Sequence, residues 1–260
     1  MITVNHLTLS YDSNVILDDV SCDIQAGSVT ILIGKNGCGK STLLRSMARL
    51  LKPTQGQIYL NGEDIYQLSA KEFALQVALL SQSHPITESI TVEQLVRYGR
   101  YPYHHFFSKW TQEDEYCVER ALFLTQMHSL AKKTLDSLSG GQRQRAWIAM
   151  VLAQNTPYIF MDEPTTYLDL SYQLEVLDLL KNLNQEHGKT IVMVLHDLNL
   201  AARYADTIIA VNNQRIEAVA PPEELIESSM IKHIFGLENK VIQDPIHLTP
   251  LCIPLSKSLL

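Results

Sequence analysis

The sequence predicts an α/β fold built around a largely parallel sheet. Strand-like and helix-like segments alternate along its 260 residues, a pattern typical of parallel α/β architecture. From about Thr91 to Ala153 the periodicity is mostly helical, which predicts a helical insert inside the α/β core. Three apolar runs have the length and composition of buried parallel strands: Tyr158–Met161, Ile191–Leu195 and Thr207–Val211. A further short apolar run, Val29–Ile33, ends in glycine.

The composition favours a globular protein of the reduced cytosol. Hydrophobic residues make up 46% of the chain, and 28 acidic against 21 basic residues give a net charge of −7. A basic nucleic-acid footprint over the whole domain is therefore not expected. No apolar run approaches the roughly 18 residues of a membrane-spanning helix, and residues 1–5 do not resemble a secretory signal. The four cysteines form no CxxC pair, so we expect neither a zinc site nor structural disulfides.

Turn and capping signals mark the ends of several predicted elements. Asn61-Gly62, after the run Gln57–Leu60, is a strong hairpin signal. Thr91–Gln94 fits a capping box at a helix start, and Thr111 precedes acidic residues suited to a first helical turn. After Pro221-Pro222 the sequence predicts a short helix and then extended residues to the end of the chain.

A glycine-rich loop carries the first chemical signal. Residues Gly34–Ser41 fit the pattern G-x-x-x-x-G-K-[ST]; they follow the predicted strand Val29–Ile33 and open the helical pattern Thr42–Leu51. Glycines let the backbone N–H groups of such a loop wrap a phosphate, and the helix N-terminus adds partial positive charge. Lys40 can then reach the β- and γ-phosphates, and the Ser41 hydroxyl can bind Mg²⁺. The alternative is a glycine-rich turn that binds nothing.

Two further strand ends carry polar side chains. The run Tyr158–Met161 ends in Asp162 and Glu163. Asp162 can hold Mg²⁺, and Glu163 can orient or deprotonate an attacking water. The run Ile191–Leu195 ends in His196, which could contact the γ-phosphate and help to place that water. In each case the alternative is an ordinary strand end that happens to be polar.

A second pair of glycines precedes a long helical stretch. In Leu138–Gln142 we expect Ser139 to be the N-cap, with Gln142 three residues later. The two glycines between them leave backbone N–H groups bare at a helix N-terminus, which is a second phosphate-binding device. The alternative is a simple capped helix start.

Together these motifs resemble those of the ATP-binding cassette (ABC) ATPases. Leu138–Gln142 resembles the signature loop of that family, and with Gly34–Ser41 and Asp162-Glu163 in this order the resemblance covers most of the chain. It implies a P-loop NTPase cassette with a RecA-like core, an antiparallel β-subdomain and an inserted helical subdomain. It also implies a head-to-tail homodimer, in which the signature loop of one protomer faces ATP held by the phosphate loop of the other.

The resemblance implies ATP and Mg²⁺ as cofactors and assigns roles residue by residue. Tyr11 would stack on adenine, Gln82 would touch Mg²⁺ or water, and Asp169 would communicate across the dimer; the alternatives are local packing for Tyr11 and a polar loop for Gln82. The expected catalytic residues are Glu163, His196, Gln82 and Lys40, and the expected Mg²⁺ ligands are Ser41, Gln82 and Asp162. The expected ATP contacts are Tyr11, Gly34, Lys35, Asn36, Gly37, Cys38, Gly39, Lys40, Ser41 and Thr42, with Ser139, Gly140, Gly141, Gln142 and Asp169 across the dimer.

Two positions depart from the pattern of the family. Cys38 stands where many members have serine, but it contributes mainly backbone, so we expect ATP binding to survive. Because its thiol lies beside a helix N-terminus, we expect it to be sensitive to modification. Tyr167 stands where members often have a small residue, so the contacts there are expected to differ.

The resemblance also predicts where the subdomains divide. The nucleotide-binding core with its β-subdomain would comprise residues 1–84 and 154–225. The helical signature subdomain would comprise residues 85–153, and a C-terminal extension would follow at 226–260.

Three segments narrow the resemblance within the family: Tyr98–Tyr103, Leu138–Gln154 and Met161–Leu170 closely resemble ATPases of the ferrichrome, ferric citrate and enterobactin importers. The implied function is ATP hydrolysis that energises uptake of ferric siderophores through integral-membrane permease subunits. A substrate-binding protein would be an indirect partner, and the chain would lie on the cytoplasmic face of the inner membrane. Import of haem or vitamin B12 is the alternative.

The segment His84–Trp110 lies where cassettes dock their permease. Exposed aromatic residues would suit such an interface, and the alternative is that they form the core of the helical subdomain. His104-His105 have no further ligand at metal spacing, so direct iron binding is not expected. The aromatic residues of the segment are Tyr98, Tyr101, Tyr103, Phe106, Phe107 and Trp110.

Two functions outside transport are the remaining alternatives. A cassette ATPase that acts on DNA or ribosomes usually carries tandem cassettes, coiled-coil insertions or basic patches, and the sequence shows none of these. A small-molecule P-loop kinase would not need Leu138–Gln142. We therefore expect no nucleic-acid partner.

Overall fold

The computed structural model describes residues 1–82, 90–105 and 108–256. The chain divides into two compact units, one formed by residues 1–67 and 190–260 and the other by residues 68–189. The predicted aromatic residues Phe106 and Phe107, together with His84, lie outside the described residues.

The elements follow one another in three stretches of chain. Residues 1–67 form β1 (Ile2–Tyr11), β2 (Asn14–Ile24), β3 (Val29–Ile33), α1 (Lys40–Met47), β4 (Gln55–Leu60) and β5 (Glu63–Asp64). Residues 68–189 form α2 (Ala70–Gln76), β6 (Val77–Leu80), α3 (Val92–Tyr98), α4 (Gln112–Leu124), α5 (Gly140–Ala153), β7 (Tyr158–Asp162) and α6 (Leu170–His187). Residues 190–256 form β8 (Thr190–Val194), α7 (Leu198–Tyr204), β9 (Thr207–Asn212), β10 (Arg215–Ala220), α8 (Pro222–Leu225), α9 (Ser228–Phe235), β11 (Asn239–Gln243) and β12 (Pro250–Pro254).

The first unit contains an antiparallel sheet with the strand order β2-β1-β4-β5. The predicted hairpin at Asn61-Gly62 is confirmed, because it joins β4 to β5. Both turn residues have positive φ angles, 52° for Asn61 and 86° for Gly62, as a two-residue hairpin turn of the favoured hand requires.

The same unit also contains parallel strands. β3 pairs in parallel with β8 and with β9, and β10 joins the outer side of β9 in the antiparallel direction. Every residue of β3 and β8 is buried, which explains why these strands are continuous apolar runs without alternation. In the second unit β6 and β7 form another parallel pair. The three predicted parallel strands are therefore confirmed as β7, β8 and β9, and the run Val29–Ile33 forms a fourth, β3.

Three helices of the second unit surround an apolar core. The buried residues of this core come from α3, α4, α5 and the chain between α4 and α5, and they include Val92, Leu95, Val118, Leu122 and Ala149. The predicted helical character of this stretch is confirmed. Each of the three helices begins with a capping box, in which the side chain at the N-cap and the side chain three residues later exchange backbone hydrogen bonds. The N-cap residues are Thr91, Thr111 and Ser139.

The helices differ from the prediction in two places. α1 ends at Met47 rather than Leu51, because Arg49 adopts a left-handed conformation with φ of 61° and Leu50 N–H donates to Arg45 O. The C-terminal region has two helices, α8 and α9, where one was predicted. Ile231 and Ile234 lie one turn apart on α9, and both are buried; this apolar spacing specifies the second helix.

A buried ion pair ties the end of α3 to the start of α4. Arg100 Nε donates to Asp114 Oδ1 at 2.9 Å, and only 3% of each side chain is exposed. Arg100 Nη1 also donates to Ala153 O at the end of α5. Burial by itself would raise the pKa of Asp114. Hydrogen bonds from Thr111 and Arg100 and the nearby His104 outweigh that effect and lower the pKa to about 2.

We predict that Asp114→Asn destabilises the chain by about 3 to 5 kcal/mol, because it leaves the Arg100 charge buried without its partner. Glu115→Gln is the matched control: Glu115 accepts from Arg97 at a site where its side chain is 41% exposed, so its loss should cost about 1 kcal/mol or less. Urea unfolding measures both. Equal losses for the two variants would contradict the prediction.

The same pair predicts how stability depends on pH. The folded pKa of Asp114 lies below that of an unfolded aspartate, which is about 3.9. The pair therefore contributes stability that is fully present above about pH 5, and this stability is lost as the pH falls toward 2. The Asp114→Asn variant should lose less stability than wild type across this range.

Candidate functional site

The first unit carries the glycine-rich loop between β3 and α1. Gly34, Gly37 and Gly39 have φ angles of 147°, 78° and 109°, a region that side-chain-bearing residues rarely adopt. A Cβ at Gly34 would lie 2.1 Å from the carbonyl oxygen of Val211, so this position has no room for a side chain. A Cβ at Gly37 would meet nothing within 4 Å, so the loop is open on that side.

The side chain of Lys40 bonds to the backbone at the start of this loop. It is the first residue of α1, only 5% of it is exposed, and its Nζ donates to the carbonyl oxygens of Gly34 and Lys35, each at 2.9 Å. Because the N-cap is Gly39, no capping side chain competes for the N–H groups of the first turn. The loop therefore presents a helix N-terminus and a lysine, which together suit a bound phosphate.

The Cys38 thiol does not have the properties expected from its position. Burial raises the pKa of Cys38, and the neighbouring Lys40, whose Nζ lies 3.9 Å from the sulfur, offsets this only in part. The reactive form of cysteine is the thiolate, so a raised pKa makes the thiol less reactive. The raised pKa argues against the expected sensitivity of Cys38 to modification, because burial outweighs the opposite effect of Lys40.

The other candidates of the first unit lie at strand ends. Tyr11 ends β1 beside the hairpin turn, and 45% of it is exposed, so its ring is accessible to a ligand. His196 is also exposed and follows the fully buried β8 and Leu195. The next residue, Asp197, caps α7 by accepting hydrogen bonds from the N–H groups of Asn199 and Leu200.

In the second unit the acidic pair follows β7. All residues of β7 are buried, and Asp162 is 1% exposed. Glu163 is partly exposed, and its φ of 56° places it in the left-handed region, a strained conformation for a non-glycine residue. Thr166 Oγ1 donates to Glu163 Oε2 at 3.2 Å, which restrains the carboxylate at this sharp turn.

The predicted N-cap of α5 is confirmed. Ser139 Oγ accepts from Gln142 N–H at 3.3 Å, and Gln142 Oε1 accepts from Ser139 N–H at 3.1 Å. Ser139 and Gly140 are exposed at the start of the helix. A Cβ at Gly141 would lie 3.4 Å from Leu168, an ordinary van der Waals distance, so the loop after β7 lies against this helix start.

Two residues that sequence reasoning missed strengthen this contact. Gln144 is buried, and its Nε2 donates to the carbonyl oxygen of Pro164 at 3.1 Å. The guanidinium of Arg145 lies 4.2 Å from the ring centre of Tyr172. Both residues lie one helical turn after the glycine pair. The sequence feature that could have identified them is that two polar residues occupy the buried face of a helix.

The remaining candidates are exposed. Gln82 follows β6, and Asp169 is the N-cap of α6, where its Oδ1 accepts from Tyr172 N–H at 3.1 Å. Four aromatic residues between 98 and 110 are described, and each is at least 37% exposed: Tyr98, Tyr101, Tyr103 and Trp110. The interpretation of these residues as the core of the helical subdomain is therefore wrong. Within the described residues, no helix is both long and apolar enough to cross a membrane.

Two proteins of known role are similar to the chain over nearly its whole length. The achromobactin transport ATP-binding protein CbrD of Dickeya dadantii (strain 3937) is 52% identical, covering 98% of this chain and 95% of the relative. The ferric enterobactin transport ATP-binding protein FepC of Escherichia coli (strain K12) is 46% identical, covering 97% and 93%.

Solved structures give the same result for the fold. An inward-facing ABC transporter of the metal-chelate type matches with a TM-score of 0.85 and 28% identity, covering 100% of this chain and 99% of that one. A cassette dimer in a post-hydrolysis state with ADP and Pi matches with a TM-score of 0.76 and 29% identity, covering 85% and 98%. The family model described as ABC transporter matches residues 17–166. The chain belongs to the ABC transporter family.

Proposed function

We propose that this chain is the ATP-hydrolysing subunit of an importer for ferric siderophores. The observation that carries the proposal is that one chain has two glycine-containing helix starts whose N–H groups suit a phosphate, at Gly39-Lys40 and at Ser139-Gly140. Similarity to the ATP-binding proteins for achromobactin and ferric enterobactin supports the cargo. Haem or vitamin B12 import is the less favoured cargo.

In this proposal the glycine loop holds the phosphates of ATP. The backbone N–H groups of the loop and Lys40 bind the β- and γ-phosphates, so Lys40 exchanges its two carbonyl acceptors for phosphate oxygens. The exposed ring of Tyr11 stacks on adenine. Ser41, Gln82 and Asp162 offer a hydroxyl, an amide oxygen and a carboxylate, which suit Mg²⁺ because this ion prefers oxygen ligands. When bound, Mg²⁺ would neutralise charge on the phosphates.

Hydrolysis needs an oriented water, and two residues are assigned to it. The restrained turn at Glu163 holds a carboxylate that can accept a proton from the water or orient it. His196 is assigned to contact the γ-phosphate and to help place the water. Lys40 stabilises the charge that develops on the transferred phosphoryl group.

Two copies of the chain would act together. The Ser139–Gln142 helix start of one copy would face ATP in the loop of the other, with Asp169 near the same boundary. The exposed aromatic residues from Tyr98 to Trp110 would meet an integral-membrane permease, because aromatic side chains are enriched at the centres of protein interfaces. This docking would place the chain peripherally at the cytoplasmic face of the membrane.

We predict that Glu163→Gln lowers the rate of ATP hydrolysis by about 10²- to 10⁴-fold, because the amide cannot accept the proton of the water. ATP binding should survive, so an ATP-bound dimer should accumulate and elute early in size-exclusion chromatography. Glu119→Gln, an exposed glutamate of α4, is the control with the same change of charge. Rapid turnover by the Glu163→Gln variant would remove Glu163 from its assigned role.

The cargo is tested by uptake of radiolabelled iron in cells that lack this gene and are complemented with either wild type or Glu163→Gln. Several ferric siderophores are offered separately. We expect loss of uptake for at least one siderophore, restored by wild type and not by the variant. If uptake of every ferric siderophore is unchanged while haem or cobalamin uptake falls, the siderophore assignment is wrong.

A further inference from the structure

The second unit has a cavity that the ATPase site does not use. It lies among α4, the C-terminal ends of α5 and α6, and the start of β7; its enclosed part has a volume of about 30 Å³, and the rest is open to solvent. One part of the wall is apolar, and another part carries three basic side chains, those of Arg120, His187 and Lys189. The apolar part is formed by Ala121, Leu124, Leu152, Ile159 and Leu183.

In the described part of the chain, the partners of the basic side chains are each other, backbone oxygens and the Asn155 side chain. Arg120 Nη2 donates to His187 Nε2 at 2.7 Å. Lys189 Nζ donates to Thr156 O at 2.9 Å and to Asn155 Oδ1 at 3.0 Å. Within residues 1–82, 90–105 and 108–256, none of the three forms an ion pair.

This arrangement leaves positive charge uncompensated beside an apolar wall. Burial, and then repulsion from Arg120, lower the pKa of Lys189, and these two effects outweigh the opposite effect of the nearby Cys117. The basic residues of α3 and the adjoining turn differ: Arg97 and Arg100 are each paired with a carboxylate. A bound anion would relieve the repulsion between Arg120 and Lys189.

We propose that this cavity binds a short-chain carboxylate. The planar guanidinium of Arg120 uses one N–H on His187 and keeps others for two parallel hydrogen bonds to a carboxylate. Lys189 already donates to protein acceptors, so it contributes charge rather than further donors. The alkyl chain would lie against Leu124, Leu152 and Leu183. A phosphate dianion would need more donors and no apolar wall.

A purely structural role makes the opposite prediction. The C-terminal ends of α5 and α6 carry partial negative charge, and Lys189 bonds the backbone that follows α5. If these groups alone balance the cations, the cavity has no need of a ligand. Binding measurements on the nucleotide-free chain decide between the two, and their outcome does not depend on ATP hydrolysis or transport.

The test titrates butyrate into the full-length chain at constant ionic strength, followed by NMR of the backbone amides. We expect saturable shifts confined to residues around the cavity, and weaker binding for acetate, which has a shorter apolar chain. Arg120→Gln should weaken butyrate binding by about tenfold or more, because a charge-assisted bidentate contact is lost. Lys132→Gln, at an exposed lysine of the same unit, should leave it unchanged.

The possible outcomes separate clearly. Lys189→Gln should also weaken butyrate binding, and thermal unfolding of this variant shows whether it still folds. If it does not fold, the result for Arg120→Gln alone tests the proposal. No saturable shift, or equal binding by wild type and Arg120→Gln, overturns the proposal. Inorganic phosphate binding more tightly than butyrate at the same residues overturns the assignment to a carboxylate.

Discussion

The site depends on one constraint: backbone N–H groups at a helix start must reach a phosphate without a side chain in the way. At the loop after β3, Gly34 has no space for a Cβ against Val211, and Gly39 has none against Leu17. Their positive φ angles turn the chain so that α1 begins directly after the loop. Because every residue of β3 is buried, the strand that leads into this loop is held in place by its packing.

The second helix start follows the same physics with a different support. Ser139 and Gln142 satisfy each other's backbone groups, so the first turn of α5 is stable without help from a neighbouring chain. The adjacent glycines and the Gln144 bond to Pro164 O tie this turn to the loop that carries Glu163. The start of α5 is therefore joined directly to the turn that contains Glu163. The strain at Glu163 fits a position where function, rather than backbone preference, sets the conformation.

Much of this fold could be predicted because local signals and burial agree. The runs that became β3, β7, β8 and β9 are mostly apolar, and the capping boxes at Thr91 and Ser139 are complete within four residues. The second C-terminal helix, α9, was not predicted because it spans only eight residues, so its apolar spacing covers little more than two turns. The direction of the Cys38 pKa shift could not be predicted, because it depends on how far the folded loop buries the thiol. Gln144 and Arg145 could not be assigned either, since their partners Pro164 and Tyr172 are separated from them by a strand and a loop.

In the proposed dimer, each ATP lies between the phosphate loop of one chain and the α5 helix start of another. The direct measurement mixes two inactive variants, Lys40→Met and Ser139→Arg, and follows single-turnover ATP hydrolysis. In a head-to-tail heterodimer, the Ser139→Arg chain supplies an intact loop and the Lys40→Met chain supplies an intact helix start, so one competent site is restored. We expect the mixture to hydrolyse ATP, although neither variant does so alone. No recovery in a sample shown to contain heterodimers would contradict it.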